Sequence, residues 1–128
     1  MNKQIILTAS VFGLIAVVLG AFGAHGLKDR LNPTDLDVWK TGVSYQFYHV
    51  LALLFLASSL QLNVDYSRYS FYCFVTGIIF FSGSLYLLST RSLTGWSRLS
   101  VLGPVTPIGG LFFLLGWLFL FLAAFKGR

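Results

Sequence analysis

The run from residue 4 to residue 24 contains no charged side chain. A bilayer core of about 30 Å takes about 20 helical residues, so this run is long enough to cross one. Residues 69–90 and 108–125 are also free of charge. Residues 43–62 carry no Lys, Arg, Asp or Glu, although they include His49. Only 10% of the chain is charged, 56% is hydrophobic and the mean hydropathy is +0.79. A soluble domain carries about a quarter charged residues. These features predict a single-domain, all-α integral membrane protein over residues 1–128: a four-helix bundle with spans at about 4–24, 43–62, 69–90 and 108–125.

The net charge of +5 would suggest nucleic acid in a soluble protein. Here the basic residues Lys3, Lys28, Arg30, Lys40, Arg68, Arg91, Arg98, Lys126 and Arg128 sit at span ends, where they anchor helices against anionic headgroups. No basic run interleaves with exposed aromatics, so nucleic acid is rejected as a partner. The expected partners are the lipid bilayer and, beside it, other membrane subunits or a second copy. With four spans, Lys3, Arg68, Lys126 and Arg128 face one side and the other five basic residues face the opposite side. That balance sets no direction by the positive-inside rule; cytoplasmic termini are the working orientation. Cys73 is alone, which excludes an internal disulfide, and no Cys/His zinc spacing occurs. The first span exceeds the usual signal-peptide core of about 7–15 apolar residues, so a retained helix is expected.

Small residues Ala9, Gly13, Ala16, Gly20 and Ala24 recur at steps of three and four along the first span. They form one helical face suited to close backbone approach in lipid, with Phe12, Ile15, Val18 and Leu19 left to face elsewhere. Residues 27–32 form a polar break. Asn32 then fits an N-cap and Pro33 a first helical position, with Asp35 and Asp37 suited to the helix dipole. One extended helix is expected from Pro33 to Leu62, with Trp39 as an interfacial anchor. Leu93, Trp96 and Leu99 fall at helical spacing, as expected for a stretch lying along the interface. The Gly/Pro-rich lead-in to the fourth helix, residues 103–110, holds Pro104 and Pro107. It is expected to be non-helical through Thr106, and the fourth helix to pack through Gly109, Gly116 and Ala123.

Adjacent spans run in opposite directions. The end of the first (Gly20-Ala-Phe-Gly-Ala-His-Gly26) and the start of the second (Gly42-Val-Ser-Tyr-Gln-Phe-Tyr-His49) therefore fall at one leaflet. So do the end of the third (Ser82-Gly-Ser-Leu-Tyr86) and the lead-in to the fourth. The candidate polar or ligand-binding cluster is His25, Tyr45, Gln46, His49, Ser82, Ser84, Tyr86 and Thr106. His49 lies at i+3 from Gln46 and i+4 from Tyr45, so the three share a helix flank. Polar groups in a span face protein or a water-filled cavity. His49 is thus either a proton carrier or ligand-binding imidazole, or a neutral side chain bonded to a neighbouring helix. Two His residues can ligate haem axially, which keeps haem through His25 and His49 as an alternative, although the spacing does not demand it. The chain has no Cys-x-x-Cys-His for covalent haem attachment. No metal or cofactor is predicted. Glu is absent, and no Ser-His-acid constellation or paired intramembrane carboxylates occur, so catalytic residues are not assigned and an enzyme is not expected.

The four one-leaflet segments, with Phe81-Ser-Gly-Ser-Leu-Tyr86 and Leu102-Gly-Pro-Val-Thr-Pro-Ile-Gly-Gly110 written in full, resemble the signatures of the small four-span membrane family called domain of unknown function 423. Its animal members are named transmembrane protein 256. The resemblance covers nearly the whole chain. It implies four helices in a bacterial inner (plasma) membrane, or an organelle membrane in a eukaryote, and brings no established activity. The role expected is an accessory or scaffold subunit packing through its Gly/Ala faces. The alternatives are a binding or transport module for a small molecule, lipid or proton, and then a haem or quinone redox subunit.

Overall fold

A computed structural model describes residues 2–95 and 101–128. Among these residues there is helix and no strand. The elements are α1 (Asn2–His25), α2 (Pro33–Ser58), α3 (Val64–Gly77), a π-helical turn (Ile78–Ser82), α4 (Gly83–Ser89), a short α5 (Arg91–Thr94) and α6 (Val105–Phe125). α3, the π turn and α4 form one continuous rod. Three helices are long and apolar enough to cross a membrane: Asn2–His25, Val64–Ser89 and Val105–Phe125. α2 is as long as these, about 39 Å at 1.5 Å per residue. Tyr45, Gln46, Tyr48 and His49 dilute its apolar character. It is nevertheless the central helix, packing on α1 and on the π turn and α4, while α3 and the π turn pack on α6.

Helix starts follow local chemistry. Asn32 is extended and its Oδ1 accepts from the Asp35 amide at 2.8 Å, with Pro33 next in the chain. Asn63 does the same for α3, accepting from the Asp65 and Tyr66 amides at 3.1 Å. That cap starts the third rod at Val64, five residues before the expected boundary. α2 in turn stops at Ser58, short of the expected Leu62. The Ser58 hydroxyl donates to the Phe55 carbonyl, and Ser59 leaves the helix at φ −96°, ψ 107°.

The lead-in to α6 departs from expectation. Helix begins at Val105, so Thr106 and Pro107 are already helical. The first amides of a helix have no intrahelical acceptor, so a proline in the first turn forfeits no hydrogen bond. Only residues 103 and 104 turn. Leu93 lies in or beside the short α5, whereas Trp96 and Leu99 lie outside the described residues.

Small residues set the helix contacts. Ala9 and Ala16 are fully buried. A Cβ at Gly13 would stand 3.3 Å from Val50, and one at Gly20 3.4 Å from Val43. Ala24 is exposed, and Gly23 takes its place against Trp39. Phe12 and Leu19 pack inward, while Ile15 and Val18 remain outside. Gly116 seats the Phe74 ring and Gly77 the Phe113 ring. Gly109 makes the tightest of these helix–helix contacts: a Cβ there would strike the Phe81 backbone nitrogen and come within 2.7 Å of Phe81 Cα. The expected Gly/Ala faces are therefore occupied within the chain. Residues 27–32 are less polar in place than in composition, since Leu27 and Leu31 fold under Trp39. Trp39 itself is a buried wedge rather than a headgroup anchor, 6% exposed, with its indole N–H donating to the Leu19 carbonyl at 3.0 Å.

Candidate functional site

α2 presents its polar side chains in two directions. The first is toward α1 and α4. The Gln46 amide nitrogen donates to the Phe12 carbonyl at 2.8 Å, and its oxygen accepts from the Tyr86 hydroxyl at 2.6 Å. One turn earlier, the Ser82 hydroxyl donates to the Gly42 carbonyl at 2.7 Å. A Cβ at Gly42 would come within 2.9 Å of the Tyr86 ring, so glycine there is what lets Tyr86 lie flat on α2. The Tyr86 ring also sits 4.9 Å from the Trp39 ring. Ser84 points the other way, to α6. Its single proton goes to the Phe81 carbonyl at 2.9 Å, so Thr106 is the donor in the 2.6 Å contact between the two hydroxyls.

The second direction is toward α6. His49 is 4% exposed. Its Nδ1 lies 2.7 Å from the Tyr45 carbonyl, which can only accept; its Nε2 lies 3.0 Å from the Trp117 indole nitrogen, which can only donate. These partners fix one neutral tautomer, protonated at Nδ1. The Phe113 ring stacks on the imidazole with centroids 3.7 Å apart and planes 8° from parallel, and Phe74 closes a further side at 5.3 Å. The imidazole thus has aromatic walls and no unused nitrogen.

The structure unites Gln46, Ser82, Tyr86, Ser84 and Thr106 around α4. It does not bring the two His residues together. The register that sets Gly20 beside Val43 and Gly13 beside Val50 places His49 level with the middle of α1. That is roughly 16 Å along the axis from His25 at 1.5 Å per residue, and His25 is exposed. Tyr45 contributes its carbonyl to His49, while its half-exposed ring lies against Phe81 at 4.8 Å. Haem ligation by His49 would require loss of the Trp117 or Tyr45 bond. Among the described residues no group of three or more His, Cys, Asp or Glu side chains gathers.

Sequence reasoning missed Trp117, Phe113 and the clamp role of Trp39. The signal for Trp117 was present: it is the single side chain in residues 108–125 with a polar hydrogen, and an indole N–H buried in a span needs an acceptor. Ser70, whose hydroxyl donates to the Gly116 carbonyl at 2.8 Å, gave no such signal, because the glycine it meets is identifiable only from the packing.

The signature of the family described as "Protein of unknown function (DUF423)" matches residues 19–110. That stretch contains Trp39, Gln46, His49, the Ser82–Tyr86 segment, Thr106 and Gly109. The chain is 40% identical to a UPF0382 membrane protein of Staphylococcus aureus (strain bovine RF122 / ET3-1), covering 97% of each chain. It is also 40% identical to the UPF0382 membrane protein YwdK of Bacillus subtilis (strain 168), covering 97% of this chain and 98% of that one. A UPF0382 membrane protein of Staphylococcus epidermidis (strain ATCC 12228 / FDA PCI 1200) is 38% identical over 97% of both. No solved structure matches the chain. With the one-end polar network in place and relatives matching almost end to end, the chain belongs to the DUF423 family of membrane proteins.

Proposed function

We propose that this protein is a non-enzymatic, four-crossing subunit of the bacterial inner membrane, acting as an accessory or scaffold for another membrane protein or a second copy of itself. α2 is the fourth crossing in this reading. One observation carries it. The polar groups that would serve catalysis or transport are used within the fold: Gln46, His49, Ser82, Ser84, Tyr86 and Thr106 each bond another helix or the nearby backbone. A transport or catalytic site presents groups converging on a space for the substrate, whereas these converge on one another. The glycine faces are also occupied within the chain, so contact with a partner falls to the outer surfaces. The principal candidate is the face of α1 bearing Leu7, Val11, Leu14 and Val18, all more than half exposed.

The test is cross-linking in native membranes from photoreactive residues placed at Leu14 and Val18, with purification of the tagged chain at its native level. The expected result is a discrete adduct, either a dimer of this chain or a defined membrane protein, that persists in a His49→Phe variant. A chain that yields no adduct, and that carries proton or solute flux in proteoliposomes abolished by His49→Phe, would replace this reading with the transport one.

A further inference from the structure

The end of the molecule opposite the polar network holds a cleft of about 520 Å³ between the start of α1, the end of α2 and the start of α3. This lies within the volume range of small-molecule sites, about 300–1,000 Å³. Ile5, Leu56 and Leu62 give it an apolar wall, and Lys3, Ser59 and Ser67 supply the polar groups. No carboxylate lines it. The Ser67 hydroxyl is the notable group. It is a buried oxygen with no hydrogen-bond partner among the described residues. An unpaired hydroxyl withdrawn from water costs free energy unless something supplies an acceptor.

A second, smaller cleft of about 210 Å³ shares the Leu60, Leu62 and Val64 wall and is lined by Lys126 and Arg128. This end of the molecule therefore carries Lys3, Arg68, Lys126 and Arg128 against Asp65. Helix ends mark the level where the chain leaves the hydrocarbon and meets headgroups.

We infer that this cleft is a binding site for one anionic phospholipid of the leaflet at the chain termini, with an acyl chain along Ile5, Leu56 and Leu62 and the phosphate at Lys3. Ser67 lines the same cleft, and rotation about its χ1 would bring the hydroxyl that the protein leaves unpaired to an ester or glycerol oxygen. The apolar wall selects a lipid over free phosphate, and Lys3, with no carboxylate in the lining, selects an anionic headgroup over a zwitterionic one. This inference does not depend on the scaffold reading.

The test is native mass spectrometry of the detergent-purified full chain, titrated with phosphatidylglycerol and with phosphatidylcholine. The variants are Lys3→Gln, Ser67→Ala and Leu62→Trp, with Lys28→Gln at the other face as control. Phosphatidylglycerol should bind at least about fivefold more tightly than phosphatidylcholine, and Lys3→Gln should remove about that factor, the worth of one lysine at an anionic membrane surface. Lys28→Gln should leave binding unchanged, inorganic phosphate should not displace the lipid, and Leu62→Trp should expel it. Equal binding of the two lipids, or wild-type retention in Lys3→Gln, would overturn the proposal. Those two arms decide it even if Leu62→Trp fails to fold.

Discussion

Gly109 and Gly110 are neighbours in α6, yet substituting each by Ala should change stability in opposite directions. At Gly109 the added methyl would meet main chain: the Phe81 nitrogen, Phe81 Cα at 2.7 Å and the Phe80 carbonyl carbon at 2.8 Å. Carbon atoms rest about 3.5–4.0 Å apart, so α6 must withdraw from the π turn by about 1 Å. No rotamer change relieves the clash, because the obstacle is backbone. Overpacking of this kind costs about 1–3 kcal/mol, against which Ala returns up to about 1 kcal/mol of helix propensity. The net expectation for Gly109→Ala is a loss of up to about 2 kcal/mol. Withdrawal of α6 should also lengthen the Ser84–Thr106 contact and speed amide exchange through residues 80–84. At Gly110 the methyl would lie 3.8 Å from the Phe81 ring, an ordinary contact, so Gly110→Ala should be neutral or stabilise by up to about 1 kcal/mol. Unfolding in mild detergent, followed by circular dichroism on the two variants in parallel, measures the difference. Equal shifts of the same sign would refute the idea that the π turn is seated on Gly109.

Further expectations concern the polar contacts. A double-mutant cycle on His49→Phe and Trp117→Phe should give a coupling of about 0.5–1.5 kcal/mol, the range found for bonds between membrane helices; additive losses would show that the Trp117 bond is not formed. Gln46→Leu should cost more than Tyr86→Phe, because it removes two interhelical bonds rather than one and strands the Tyr86 hydroxyl. The reverse order in thermal unfolding would place the weight of the contact elsewhere. Pro107→Ala should change stability by no more than about 0.5 kcal/mol and leave the start of α6 in place, since Pro107 occupies the first turn. Altered exchange protection over residues 105–112 would contradict that.

The existence and direction of the helices were legible because uncharged runs have few physical solutions in lipid. The proximity of Gln46, Ser82, Tyr86 and Thr106 is what alternation of helix direction leads one to expect. The caps at Asn32 and Asn63 show the difference between a signal noticed and one passed over: Asn32 was marked by Pro33, while Asn63 lacked a proline and its rod was expected to start late. The π turn left no mark that distinguishes Ile78-Ile-Phe-Phe-Ser82 from ordinary helix. It is set by the fit of its backbone to Gly109, a contact between residues 28 positions apart. The separation of His25 from His49 was illegible for a similar reason. Both belong to the same half of the sequence pattern, but the depth of His49 depends on the register of α1 against α2, which Gly13 and Val50 set by contact.

The polarity of α2 bears on how the protein is made. As a nascent segment α2 is short of partners, because the Gln46 amide and the His49 Nε2 bond only to other helices. α1 is already synthesised and supplies the Phe12 carbonyl to Gln46, so the two can enter together as a hairpin. The indole that occupies the His49 Nε2 comes from Trp117, just past the middle of α6. Until α6 emerges from the ribosome, His49 must be sheltered by the insertion machinery or face lipid unsatisfied. A chain cut short before α6 therefore lacks the donor for the His49 Nε2.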